Sequence, residues 1–152
     1  MARRFPLQTL LDLARDHADT AARNLGALKL SWAEAEEKLQ QLLKYADDYR
    51  IRLHQSARTG MPVSVMRDFQ RFLNKLDRAV GQQRAEVARR KACWEDGQRE
   101  WLRQKGKLNA YDTLSKRHRK VEMASEARAE QREQDEYARR LFAGKASKED
   151  EE

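Results

Sequence analysis

From Leu7 to Leu53 an apolar residue recurs in alternating steps of four and three: Leu7, Leu11, Ala14, Ala18, Ala21, Leu25, Leu28, Trp32, Ala35, Leu39, Leu42, Ala46, Tyr49 and Leu53. A repeat of this period, sustained over this span with charges between the stops, is a coiled-coil seam. The stripe of a helix lying on a globular core is broader. Taking a as Leu11, Ala18, Leu25, Trp32, Leu39, Ala46 and Leu53 puts d on Leu7, Ala14, Ala21, Leu28, Ala35, Leu42 and Tyr49.

The stretch SARTGMPVS, residues 56 to 64, is where Gly and Pro fall close together. It predicts a helix stop, a turn and a restart with Ser64 as N-cap. Beyond it the repeat resumes, with a on Leu73, Val80, Val87, Trp94, Trp101 and Leu108, and d on Phe69, Leu76, Gln83, Arg90, Gly97, Gln104 and Tyr111. The d row turns polar after Leu76, which predicts a weaker seam there. The reading is therefore all-α and a single domain, an antiparallel coiled-coil hairpin. Helix one covers about 5–56, the turn about 57–63, helix two about 64–143, and an acidic tail covers 144–152. Only 6 glycines and 2 prolines leave too little turn chemistry for a sheet. Content of 39% hydrophobic residues at strict spacing argues against disorder, despite 38% charged residues and a mean hydropathy of -1.02.

A turn centred near Thr59 makes the numbers of facing residues sum to about 118 in an antiparallel pair. Trp101 then faces Ala18, with Ala14, Ala21 and Gly97 around it, while Trp94 faces Leu25 and Trp32 faces Val87. Large residues over small ones are what close packing requires. At about 1.5 Å per residue the helices are roughly 75 Å and 120 Å long, so residues beyond about 111 form an overhang. Its few apolar residues, mainly Leu114, Val121, Met123, Tyr137, Leu141 and Phe142, predict a helix that needs charge pairs or a partner for support.

Two tyrosines four apart, Tyr45 and Tyr49, have different expected roles. Tyr49 is at d, with its ring in the seam. Tyr45 is at g, beside Phe72 at g on the other helix, with Leu42 and Leu76 beneath and Lys38 next to Ala79. An apolar strip on an otherwise charged helix pair either marks a protein contact or shields the seam.

The chemistry of enzymes and cofactors is not indicated. A Gly-Lys-Ser/Thr phosphate loop is missing, and His17, His54 and His118 lie far apart without a second ligand at i+4, so neither a metal nor another cofactor is expected. Two helices enclose no pocket that would tune a carboxylate, so no enzymatic activity is expected. Cys93 is alone, which excludes an internal disulfide and fits a reducing compartment. The N-terminus has no secretory-signal core, and no run approaches the ~18 apolar residues of a membrane span. The net charge of +7 and a pI near 9.7 suit an acidic partner or plain solubility. The basic run SKRHRK at 115 to 120 and arginines 84, 89, 90, 99 and 103 could meet phosphates, but Glu86, Glu95, Asp96 and Glu100 are interleaved with them. A solvated face is the expectation, with nucleic-acid binding as the alternative class.

The opening LQTLLDLARDHADTAARNLGAL, the segment AEEKLQQLLKYADDYR, FQRFLNKLDRAVGQQ after the turn, Trp101, and EQREQDEYARR near the end resemble, in order and over essentially the whole chain, the flagellar export protein FliJ family. The resemblance implies a hairpin like the central stalk of rotary ATPases. It would insert into the export ATPase hexamer, promote its assembly and activity, link it to the membrane-embedded export gate, and take part in recycling export chaperones. It also implies a cytoplasmic location, peripheral on the inner membrane at the flagellar base with only indirect membrane association, and a role in motility and chemotaxis. The family's gate-contacting positions correspond to Leu42, Tyr45, Tyr49, Phe72, Leu76 and Ala79. Lys38 and Gln83 depart from the family's glutamine and histidine. Arg3, Arg4, Arg117, Arg119, Arg139 and Arg140 are the expected contacts to an acidic ring surface. A stalk of an injectisome-type secretion system is the alternative within the same physics.

Overall fold

A computed structural model describes residues 3–151, and among them there are two helices and no strand. Helix α1 spans Gln8–Thr59 (52 residues) and α2 spans Val63–Glu149 (87 residues). The two pack against each other, as the heptad pattern requires.

Helix α1 starts three residues later than expected, because Pro6 and Leu7 form a turn in which the Gln8 amide donates to the Phe5 carbonyl at 3.1 Å. At its end Gly60 takes φ +93°, the left-handed conformation that suits glycine after a helix C-terminus. Helix α2 begins directly after Pro62, whose carbonyl accepts from the Val65 and Met66 amides at 3.1 Å each. Ser64 is therefore inside the first turn, and the expected cap role falls to the residue two before it. The expected stop at Gly144 is also corrected. The helix continues to Glu149, with the Ser147 hydroxyl donating to the Gly144 carbonyl at 3.1 Å. One glycine costs only about 1 kcal/mol against alanine inside a helix, and Gly144 has no left-handed backbone to end it. Glu152 of the expected tail lies outside the described residues.

The chain divides into two compact units, to which both helices contribute. The first, Ala18–Gln104, is a hairpin closed by the turn. Its buried seam consists of Ala18, Ala21, Ala35 and Ala46 of α1 with Leu73, Leu76 and Val80 of α2, while Leu25, Leu28, Trp32, Leu39, Leu42 and Tyr49 remain half-buried. Two helices enclose little interior, so on α1 of this unit the covered side chains are alanines, while the leucines of its seam stay partly open.

The expected pairing needs one correction in this unit. Trp32 lies against Trp94, ring centroids 5.3 Å apart, where Val87 and Leu25 were the expected partners. The space above Gly97 goes to Leu28, with Leu25 behind it. Side chains of a helix lean toward its N-terminus. In an antiparallel pair they therefore lean past the level of their own backbone and meet residues about one turn beyond it. Ala18 is buried and Trp101 half-buried.

The polar d residues Gln83 and Arg90 find partners across the seam. Gln83 is 8% exposed and its Nε2 donates to the Ala35 carbonyl at 2.9 Å. Arg90 donates through Nη1 to the Ser31 carbonyl at 2.9 Å and through Nε to Glu86 at 2.8 Å. The polar part of the seam is thus bonded across the helices, because small Ala35 and Ser31 leave their carbonyls within reach.

The second unit joins residues 1–17 to 105–152. Leu11 and Ala14 are its buried residues. Opposite them Leu108, Tyr111, Ser115, His118 and Glu122 are half-buried in steps of three and four. The overhang expected from about 111 therefore begins only after Met123. Residues 3–5 are not helical, and extended chain covers about 3.3 Å per residue, so this short arm reaches further along α2 than a helix would. The Arg3 amide donates to Glu122 at 3.3 Å and Phe5 packs edge-on against His118 at 5.5 Å. His118 is accordingly half-buried rather than solvated. From 124 to 149 every residue is exposed.

Candidate functional site

The g edge near the closed end carries a chain of aromatic rings. Tyr45 meets Phe72 in a T-shaped contact at 6.4 Å, Phe72 meets Tyr49 at 4.6 Å, and Tyr49 meets Phe69 at 5.1 Å. Heptad geometry puts these rings on one side: Tyr45 and Phe72 share the g edge, while Tyr49 and Phe69 are facing d residues. Exposure grades along the chain. Tyr45 is 54% exposed and Phe72 36%, whereas Tyr49 and Phe69 are half-buried. From its d position in the seam, Phe69 braces the ring that braces the edge, and its facing of Tyr49 across the pair is the sequence signal for that role.

Leu76 is buried and Leu42 and Ala79 are half-buried, so these three form the base of the strip rather than its face. Beside it runs an open groove of about 610 Å³, lined in part by Leu42 and Ala79 and, beyond them, by Lys38, Glu34, Gln82 and Glu86. Lys38 and Gln83 differ from each other here. Lys38 is exposed on the groove, and Gln83 is held down by its bond to Ala35. The strip can bury aromatic surface against a partner, with charged side chains at its margin. That is the composition of a contact patch and its polar rim.

The expected arginine contacts do not form one cluster. Arg3 and Arg119 share a groove of about 220 Å³ with Phe5 and His118. Arg4 and Arg117 are exposed, and Arg139 and Arg140 lie in the fully exposed distal helix, where Arg140 is paired with Glu136 at 2.9 Å.

Four of the remaining arginines of α2 are ion-paired within the helix. Arg89 and Arg90 pair with Glu86, Arg99 with Asp96, and Arg103 with Glu100. The Glu100 carboxylate, by hydrogen bond and then by charge, holds Arg103 above the ordinary guanidinium range. Arg89, Arg99 and Arg103 are exposed, as an interleaved charged face requires, whereas Arg90 and Glu86 are half-buried at the seam. No cluster of three or more His, Cys, Asp or Glu suited to a metal occurs among the described residues, Cys93 is free and exposed, and no described helix is long and apolar enough to cross a membrane.

Residues 3–147 match the family described as Flagellar FliJ protein. The chain is 31% identical over 140 residues to the Flagellar FliJ protein of Salmonella typhi, covering 92% of this chain and 95% of that one. The Flagellar FliJ protein of Escherichia coli (strain K12) gives the same identity and coverage. The match selects the flagellar alternative over the injectisome, and with nearly the whole chain covered, this chain belongs to the FliJ family of flagellar proteins.

Proposed function

We propose that this protein is a non-enzymatic stalk of the flagellar protein-export apparatus that couples the export ATPase hexamer to the cytoplasmic domain of the membrane export gate. The observation that carries the reading is the ring chain from Tyr45 to Phe69. It leaves aromatic surface on one edge of a charged helix pair, and such surface tends to mark a protein contact. In this reading Tyr45 and Phe72 contact the gate, Leu42 and Ala79 flank them, and Tyr49 and Leu76 hold the edge in shape.

The ATPase contact is assigned to the other unit. Residues 124–149 have no intramolecular packing, so a ring bore would supply the cover that the helix lacks. Arg3, Arg4, Arg117, Arg119, Arg139 and Arg140 would face acidic ring surface. Export chaperones are further partners on the family's pattern. The site of action is the cytoplasmic face of the inner membrane at the flagellar base.

The test is binding of the gate's cytoplasmic domain by a Tyr45→Ala, Phe72→Ala variant. Binding should be lost with helicity unchanged, and normal binding would reduce the strip to a cover for the seam. Separately, glutamate at the six arginines should abolish stimulation of ATP hydrolysis; unchanged stimulation removes the ring assignment.

A further inference from the structure

The closed end of the hairpin has a composition that the gate and ring contacts do not use. Between residues 51 and 71 lie Arg52, Arg58, Arg67 and Arg71 against a single acid, Asp68. Four positive charges against one negative leave +3 there, out of +7 for the whole chain. All four arginines are exposed, and among the described residues none of them makes an ion pair. Arg50, just outside this stretch, is by contrast already held by Asp47 and Asp77.

Apolar side chains stand between these charges. Ile51 is 55% exposed, Val63 67%, Val65 39% and Met66 42%. Val63, Val65 and Met66 occupy e, g and a in the first turn of α2 and Ile51 occupies f about 12 Å back from the end of α1, so they share no single face. A protein groove needs one face to grip. A fluid interface does not, and can take an end-on cap of aliphatics while its anionic headgroups meet the surrounding arginines. The nearby hollow of about 480 Å³ fits the same chemistry, with Ile51 and Leu53 flanked by Arg50 and Arg58.

We propose that the closed end of the hairpin docks directly on an anionic lipid bilayer surface. The geometry is favourable for all four charges. Arg58 and Arg67 lie within a turn or so of the helix ends, and Arg52 and Arg71 lie about 10–12 Å back from those ends at the helical rise. That distance is about one screening length at ordinary salt, so the outer pair carries most of the attraction. The aromatic edge at Tyr45 begins about 20 Å from the turn, a height at which a membrane protein's cytoplasmic domain is within reach. The contact goes beyond indirect association through the gate and does not rest on the gate reading.

The experiment is sedimentation of the full chain with vesicles of phosphatidylglycerol and phosphatidylethanolamine, compared with phosphatidylcholine alone, at low and high salt and with no other protein present. The chain should partition to the anionic vesicles only, and less so at high salt. Arg58→Gln with Arg67→Gln should lower the partition coefficient by about 30-fold, Arg58→Lys with Arg67→Lys should retain it, and Val63→Ser with Val65→Ser should weaken it at both salt levels. Helicity of each variant, read by circular dichroism, separates loss of binding from loss of fold. The proposal is overturned by absence of binding to anionic vesicles, by equal binding to phosphatidylcholine, or by a folded glutamine variant that binds normally. Tip-dependent capture of an acidic protein without any vesicle binding would overturn it as well. Because no gate protein is present, failure here leaves the aromatic-edge reading standing.

Discussion

Gly97 tests the packing of the helix pair most sharply. A Cβ placed there would sit 2.6 Å from Leu28 Cδ1 and 3.6 Å from Leu25 Cδ1, whereas carbons at rest stand about 3.5–4.0 Å apart. Leu28 must therefore move by about 1 Å, with Leu25 in contact on the same site. Overpacking of this kind costs about 1–3 kcal/mol, against a gain of about 1 kcal/mol from replacing a mid-helix glycine. Gly97→Ala should accordingly be neutral or destabilising by up to about 2 kcal/mol. Gly81 lies in the same helix with nothing within 4 Å of its notional Cβ, so Gly81→Ala should gain the full ~1 kcal/mol. Urea titration followed by circular dichroism measures both. In a Leu28→Ala background the penalty should vanish and Gly97→Ala should become stabilising, since the two positions share one contact. If Gly97→Ala stabilises the wild-type chain as much as Gly81→Ala does, Leu28 is not seated over Gly97 and the interhelical register given above is wrong.

The two tyrosines should separate in the same assay. Tyr49 makes two close ring contacts, so Tyr49→Ala should cost about 2–4 kcal/mol, while the more exposed Tyr45, with one, should cost about 1 kcal/mol or less; equal losses would refute the division between brace and contact. Gln83→Glu replaces the donor to the Ala35 carbonyl with an acceptor and should cost about 1–3 kcal/mol at neutral pH. Burial beside a carbonyl raises the folded-state pKa of the introduced carboxyl above its unfolded value of about 4.3. The deficit should therefore be full above the folded pKa, shrink as pH falls through it, and be gone below the unfolded value. A deficit that does not change with pH would show that the amide's bond is not what holds this part of the seam.

What could be read from residue order alone is what periodicity encodes. The spacing of Leu7 to Leu53 sets the angle of each side chain around its axis, and the Gly60–Pro62 turn sets the approximate level at which residues face one another. Those two quantities suffice to put Tyr45 beside Phe72 and to leave them on an edge. Tertiary structure decided whatever depends on reach along the axis. The lean of side chains brings Trp32 to Trp94 and Leu28 over Gly97. The length of Gln83 and Arg90 lets polar seam residues find the carbonyls of Ala35 and Ser31, and the extended arm at Arg3 to Phe5 covers His118. A heptad assigns positions on a cylinder, whereas contacts form at the tips of side chains several ångströms away from it. The tips settle only when the second helix is in place.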